Sequence, residues 1–78
     1  MTPSHEIYHR IVWDPSLDPA RFSIGIDVHA DAPVEVPFEA FEPDGEIPWH
    51  RVIYFRADDA IVWDRRTTTD RLDDAAAT

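Results

Sequence analysis

The chain lacks cysteine and lysine altogether, and it contains only two glycines in 78 residues. Without cysteine it has neither disulfides nor cysteine-based zinc sites, the devices that stabilise most small secreted domains. Gly25 and Gly45 stand far apart, which excludes a glycine-rich phosphate-binding loop. A fold without these devices has to rest on an apolar core.

Long hydrophobic runs are absent as well. No apolar stretch approaches the roughly 20 residues of a membrane-spanning helix, and Met1–Glu6 lacks the basic and apolar regions of a signal peptide. We therefore expect a cytoplasmic protein without a membrane partner. With 78 residues, 44% of them hydrophobic, the chain has room for one small domain.

The charge is acidic and unevenly distributed. A net charge of −9 argues against a protein that follows a long phosphate backbone. Residues 1–48 hold ten acids and two arginines, a net of −8, and residues 67–78 carry −2. Residues 49–66 carry +1, with four arginines against three aspartates. An anion-binding surface is therefore expected in this third segment.

Residue periodicity predicts one helix and about four strands. Ile7 and Ile11 lie four residues apart, which favours a short helix ending at Asp14-Pro15, although a strand over Tyr8–Trp13 fits the same residues. Strands are predicted over residues 22–29, 34–36, 51–56 and 60–65. The expected fold is a small α+β domain over residues 1–66, mostly an antiparallel β meander or partial barrel with one N-terminal helix. Residues 67–78 are expected to form a disordered tail with almost nothing to bury.

The last two predicted strands form a hairpin through Asp58-Asp59, with Arg56 opposite Ile61. Strict alternation then sorts the side chains onto two faces. One face carries Arg51, Ile53, Phe55, Val62 and Asp64, and the other carries His50, Val52, Tyr54, Arg56, Ile61, Trp63 and Arg65. The second set combines flat rings with guanidinium and imidazole groups, as surfaces that bind single-stranded RNA do. The same pattern also fits a core in which Tyr54 and Trp63 are packed and the arginines line the rim.

Residues suited to catalysis or metal binding are few. None of the three serines lies in a recognisable nucleophile context, and His50 has no evident partner acid or base. His5 and His9, four residues apart, could present two ligands on one helix face, but no further ligand pair accompanies them. We expect a binding module rather than an enzyme, with no cofactor and no metal.

Two motifs in residues 47–66 resemble those of a known family. Ile47-Pro48-Trp49-His50-Arg51 is followed, after the hairpin, by Val62-Trp63-Asp64-Arg65. Together they resemble the RNA cyclic-group end-recognition domain, formerly a domain of unknown function, which shows an Ile-Pro-x-His-Arg-Ile segment and a Val-Trp-Asp-Arg segment. The resemblance extends over about residues 7–71, with weaker similarity at Ile11–Pro15, Phe22–Gly25 and Glu35–Phe38.

The resemblance implies a module that recognises RNA ends carrying a 2′,3′-cyclic phosphate, in RNA processing or repair. The ligand would be an RNA 3′ end, and the partners would be RNA-processing proteins such as phosphoesterases and nucleotidyltransferases. His50, Arg51 and Arg65 would contact phosphate. Tyr54 and Trp63 would stack on the terminal base, and Arg56 belongs to the same RNA-binding group.

The chain departs from the family pattern at two places. Ile26-Asp27-Val28-His29 stands where the family has an aromatic residue and an Asp-Arg pair, so one phosphate-binding arginine is missing, and Asp59 replaces a hairpin glycine. Two other functions fit the residues. One is a protein-interaction module that uses its acidic first half or a strand edge, and the other is a cyclic phosphodiesterase with His50 as acid or base.

Overall fold

One helix and a five-stranded antiparallel sheet make up the computed structural model, which describes residues 2–75. Helix α1 spans Ser4–Trp13. The strands are β1 (Phe22–Ile26), β2 (Val34–Pro37), β3 (Val52–Ala57), β4 (Ala60–Asp64) and β5 (Thr69–Asp70). The predicted α+β class with one N-terminal helix is confirmed.

The sheet is open and has the strand order β2-β1-β3-β4-β5. Only β3, β4 and β5 follow one another as a meander. Because β1 lies between β2 and β3, the chain over residues 38–51 must pass from one side of β1 to the other. This connection contains two 3-10 turns, Phe38–Ala40 and Trp49–Arg51.

The core lies on one face of the sheet. Helix α1 and the connection over residues 38–51 cover that face. Ile7 and Ile11 of α1 are 1% and 0% exposed and belong to the same apolar cluster as Phe55 of β3. From the connection, Phe38 stacks on Tyr8 with ring centroids 4.6 Å apart. Burying a large apolar side chain contributes about 1.5–3 kcal/mol, so these contacts hold the connection against the helix.

Two β-bulges change which side chains share a face. Tyr54 and Val52 pair with consecutive residues of β1, which leaves Ile53 as an extra residue in β3. Phe55 and Arg56 pair with Trp63 and Ile61, which leaves Val62 as an extra residue in β4. An extra residue reverses the alternation beyond it, since side chains point to opposite faces with a period of two.

The face assignment from strict alternation is therefore wrong beyond each bulge. Val52 and Trp63 join the core face, whereas Asp64 lies opposite Tyr54 on the second face. The Trp63 ring is 1% exposed and lies 5.7 Å from the ring of Phe55. Its indole N–H donates to the backbone oxygen of Thr2 at 2.9 Å. The one polar atom of the buried ring therefore has a hydrogen-bond partner.

The predicted pairing of Arg56 with Ile61 is confirmed, and the hairpin turns through Asp58-Asp59. Asp58 adopts a left-handed conformation with φ 53°, which aspartate tolerates better than most residues. Its carboxylate accepts from the Arg21 guanidinium at 2.7 Å, and its N–H donates to the Arg21 carbonyl at 2.9 Å. These bonds hold a turn that lacks glycine.

The stretch after β4 is packed against the core as far as the structure describes it. β5 pairs with β4, and a 3-10 turn over Leu72–Ala75 follows. Leu72 is 1% exposed, so the expectation that residues 67–78 have almost nothing to bury is wrong for this side chain. Residues 76–78 lie outside the described residues. Mobility of the stretch stays a prediction, which backbone order parameters would test.

α1, with ten residues, is the longest described helix. No helix within residues 2–75 has the length and apolar character that crossing a membrane requires.

Candidate functional site

The 3-10 turn Trp49–Arg51, called the cationic turn below, carries His50 and Arg51 and lies at the start of β3. Pro48 occupies its N-cap position with φ −71°, and the N–H of Arg51 donates to the Pro48 carbonyl at 3.0 Å. The Ile-Pro-Trp-His-Arg motif of the sequence therefore builds a tight turn. His50 is exposed and Arg51 is half-buried.

Three separate elements hold the backbone of the cationic turn. The hydroxyl of buried Ser4, at the start of α1, donates to the Trp49 carbonyl at 3.1 Å. The Arg65 guanidinium, just after β4, donates to the carbonyls of Trp49 and His50. The N–H of Asp27, just after β1, donates to the Arg51 carbonyl at 2.8 Å. The turn is thus fixed before any ligand arrives, which reduces the entropy lost on binding.

The ring of Trp49 anchors the cationic turn to the core. It lies 5.5 Å from the ring of Tyr8 and 5.4 Å from that of Phe41, with His5 at 6.1 Å. No local pattern indicated the roles of Trp49 and Ser4, because the contacts of Trp49 with Ser4 and Tyr8 join residues more than 40 positions apart. The sequence signal for a turn was Pro48, which directly precedes Trp49, His50 and Arg51.

Five of the seven arginines form ion pairs with acids. The pairs are Arg10 with Asp14 and Asp73, Arg21 with Asp58, Arg56 with Glu35, Arg66 with Asp64, and Arg71 with Asp74. Arg51 and Arg65 form no ion pair within residues 2–75. Arg51 belongs to the cationic turn and Arg65 holds it, so the arginines without an ion pair in the described residues lie at one place.

The second face of the sheet has a different electrostatic character. Glu35 of β2 pairs with Arg56 of β3, and it also accepts a 2.6 Å hydrogen bond from the Tyr54 hydroxyl. The hydrogen bonds from Arg56 and Tyr54 lower the pKa of the Glu35 carboxyl below its ordinary value. Burial, followed by the bond to Glu35, raises the pKa of Tyr54. Arg56 is therefore neutralised by a carboxylate that stays ionised.

Gly25 is what allows this contact across β1. Gly25 pairs with Glu35 on one side and with Tyr54 on the other. A Cβ at this position would lie 1.9 Å from Cε2 of Tyr54, so the ring occupies the space above the glycine. Tyr54 can reach Glu35 over the middle strand because that strand has no side chain there.

Asp64 and Arg66 extend the same polar layer. Asp64 is 3% exposed and pairs with the Arg66 guanidinium at 2.9 Å. The Arg66 hydrogen bond is the main reason that the pKa of Asp64 is lowered. The same guanidinium lies 5.8 Å from the centre of the Tyr54 ring, close enough for a cation–π contact. Tyr54 is left 8% exposed.

The six predicted RNA-binding residues therefore separate into three groups. His50, Arg51 and Arg65 come together at the cationic turn. Tyr54 and Arg56 lie on the second face, engaged with Glu35. Trp63 is in the core, as the alternative interpretation of the sequence had it. In this arrangement neither the Trp63 ring nor the Tyr54 ring offers a free surface on which a base can stack.

A cavity of about 400 Å³ opens beside the cationic turn. Its apolar lining comes from Ile26, Val28, Ile47 and Pro48. Its polar lining consists of His50 and Arg51, together with the carboxylates Asp27 and Glu46. The cavity is therefore lined by apolar, cationic and acidic residues together. Small-molecule sites commonly combine apolar walls with a few polar groups.

A family model described as the MJ1316 RNA cyclic group end recognition domain matches residues 1–65. This chain belongs to that family. The match covers α1, the first four strands and the cationic turn, and it confirms the resemblance seen in the two sequence motifs. No solved structure was found to match the chain.

Asp27 and Val28 line the cavity beside the cationic turn. They belong to Ile26–His29, the segment that is expected from the sequence to differ from the family. His29 follows with φ 60°, and its N–H donates to Oδ1 of Asp27 at 2.8 Å. Within residues 2–75, no three histidine, cysteine, aspartate or glutamate side chains come together as a metal site.

Proposed function

We propose that this domain binds an RNA 3′ end carrying a 2′,3′-cyclic phosphate or phosphate, in RNA processing or repair, and that it does so at the cationic turn. The observation that carries the proposal is the position of Arg51 and Arg65. They are the two arginines without an ion pair in the described chain, and His50 lies next to Arg51 in the turn and accepts from Arg65 through its carbonyl. The name of the family points to the same class of ligand.

Phosphate binding is more favourable at an arginine that has no ion pair than at one that is already paired. Arg56 would have to release Glu35 before it could bind a phosphate. Arg51 has no such partner to release. Arg65 uses two N–H groups on the carbonyls of the turn, but a guanidinium has five and keeps its full charge. A phosphate therefore gains charge-assisted hydrogen bonds at the cationic turn without breaking an ion pair.

A chain end fits this site better than an internal segment. The net charge is −9, and Asp27 and Glu46 line the same cavity as His50 and Arg51. A long backbone would bring further phosphates against this acidic surface, whereas an end needs to place only one or two phosphates at the cations. We expect binding to be weak and to depend little on salt.

We expect His50 and the two arginines to bind RNA without catalysing a reaction. Proton transfer to or from RNA would need an acid or base held in place, whereas His50 is exposed and only its backbone oxygen takes part in the described hydrogen bonds. Incubation of the protein with an oligomer carrying the cyclic phosphate should leave that group intact. Hydrolysis that disappears in His50→Ala would favour the phosphodiesterase alternative instead.

The test is a titration with RNA oligomers that differ only in the 3′ group, which is a 2′,3′-cyclic phosphate, a 3′-phosphate or a 3′-hydroxyl. We expect both phosphate forms to bind more tightly than the hydroxyl form. For one or two neutralised phosphates of a single strand, log K against log salt should have a slope of about −0.7 to −1.4.

Equal affinity for all three ends, or no binding at millimolar protein, would contradict the proposal. A protein-interaction module would give the second result, because its acidic first half favours a basic protein partner over RNA. A slope much steeper than the expected range would mean that the domain follows the RNA backbone rather than its end.

A further inference from the structure

The cavity beside the cationic turn contains two carboxylates that phosphate binding does not explain. Asp27 and Glu46 line it together with His50 and Arg51. Near a phosphate these acids are unfavourable, because like charges repel. Their presence in a concave site with apolar walls calls for a ligand that also donates hydrogen bonds.

Asp27 is held in place by hydrogen bonds, and one of its carboxylate oxygens can still accept a hydrogen bond from a ligand. Its Oδ1 accepts from the His29 N–H at 2.8 Å, and its own N–H donates to the carbonyl of Arg51 at 2.8 Å. Its second oxygen, Oδ2, accepts no hydrogen bond within residues 2–75, and neither does the carboxylate of Glu46. An ionised carboxylate only accepts hydrogen bonds, so these atoms match N–H groups of a ligand.

The apolar side chains of the cavity can pack against the face of a nucleobase. Val28 is 44% exposed, and it lines the cavity with Ile26, Ile47 and Pro48. Proteins that read a single unstacked base place it between aromatic or apolar side chains and bind its Watson–Crick edge by hydrogen bonds. The cavity lies directly beside Arg51, so a nucleotide whose phosphate contacts Arg51 can place its base there.

We infer that this cavity receives the terminal nucleobase of the RNA, and that Asp27 and Glu46 select a base whose edge donates hydrogen bonds. This inference rests on the proposed function. Guanine fits best, because its N1–H and N2 amino group are adjacent donors that one carboxylate can accept with both oxygens. Adenine and cytosine each present one amino group. Uracil has no amino group, and its one donor, N3–H, lies between two carbonyl oxygens that face the carboxylates unfavourably.

The test uses four oligomers that end in a 2′,3′-cyclic phosphate and differ only in the last nucleotide. A bidentate contact to a base edge typically discriminates by about 1–3 kcal/mol, so the G-ended oligomer should bind roughly tenfold or more tightly than the U-ended one. Asp27→Asn and Glu46→Gln should each reduce this ratio, since an amide offers one acceptor fewer and can donate to uracil. Glu39→Gln removes the same charge from an exposed residue outside the cavity lining and should leave the ratio unchanged.

The outcomes separate the two proposals. Equal affinity for all four oligomers, with the cyclic phosphate still preferred over the 3′-hydroxyl, would overturn base selection and leave end binding intact. A ratio that survives both cavity variants would overturn the role of the carboxylates. No binding of any oligomer would overturn both proposals.

Discussion

The second face of the sheet and the cationic turn use the same residue type for opposite purposes. On the second face, Arg56 and Arg66 are paired with Glu35 and Asp64, whose pKa values these contacts lower. At the cationic turn, Arg51 and Arg65 have no acid partner within residues 2–75. One region is a neutralised network that packs Tyr54 against the sheet. The other holds the two arginines that form no ion pair within the described residues.

This difference shows why the position of an arginine matters more than its presence. The sequence places four arginines in residues 49–66, and their number alone suggests one basic surface. In the fold, Arg56 and Arg66 pair with carboxylates, whereas Arg51 and Arg65 form no ion pair within residues 2–75. An ion-paired arginine would have to exchange a partner it already has, whereas an unpaired one gains the full interaction with phosphate.

The largest effect expected concerns the core beneath both regions. Trp63→Ala should reduce the free energy of unfolding by about 3–5 kcal/mol, as large-to-small changes of buried aromatic residues do. Denaturant unfolding followed by circular dichroism measures this. Trp63→Phe, which keeps most of the volume, should leave RNA affinity unchanged once the protein is folded. A folded Trp63→Phe protein that loses about 1–3 kcal/mol of RNA affinity would instead show that the ring stacks on a base.

The next effect compares the two regions directly. Arg51→Gln should weaken binding of the cyclic-phosphate oligomer by about 1.5–3 kcal/mol, the range for hydrogen bonds to charged groups. Arg56→Gln removes the same charge from the second face and should leave the affinity nearly unchanged. Titrations of both variants with one oligomer decide the matter. The reverse ranking would mean that phosphate binds on the second face after displacing Glu35.

The second face should also respond to acid. The pKa values of Glu35 and Asp64 are lowered in the folded protein from ordinary values of 4.5 and 3.8. The stabilisation is therefore complete above about pH 4.5, and it is lost as the pH falls through the lowered values. Unfolding measured between pH 6 and pH 2.5 should show this decline, and a Glu35→Gln, Asp64→Asn double variant should flatten it. An unchanged slope in the double variant would assign the acid sensitivity to other carboxyls.

The smallest effect expected concerns His50. It is exposed on the cationic turn and lines the cavity with Arg51, so its ring can add a hydrogen bond to the phosphate. His50→Ala should therefore weaken binding of the cyclic-phosphate oligomer modestly. His9→Ala serves as a control on the exposed surface of α1. Equal affinity of the two variants would mean that the imidazole does not contact the phosphate.

Local patterns predicted much of the fold. The four-residue spacing of Ile7 and Ile11 indicated α1, and Asp58-Asp59 between two apolar runs indicated the hairpin, including the pairing of Arg56 with Ile61. Such signals are strong because they depend on the preferences of neighbouring residues. The bulges at Ile53 and Val62 were missed, since alternation assumes an unbroken ladder and nothing at either position marks an extra residue.

Local patterns also predicted part of the candidate site. The motif around His50 and Arg51 drew attention to the turn, and Arg65 was correctly grouped with it in space. Tyr54 and Arg56 were grouped with them because they follow on the same strand. Their engagement with Glu35 depends on a strand that pairs on the far side of Gly25, a contact that no local pattern reveals.

The sequence by itself determined the class of fold, the family and the segment in which anions are expected. These follow from composition, charge and short-range spacing, which do not depend on how distant elements meet. Only the tertiary structure decided that Arg21 and Arg56 are neutralised, because their partners Asp58 and Glu35 lie 37 and 21 residues away in sequence. It also buried Trp63, because one extra residue in β4 turns that ring from the second face into the core.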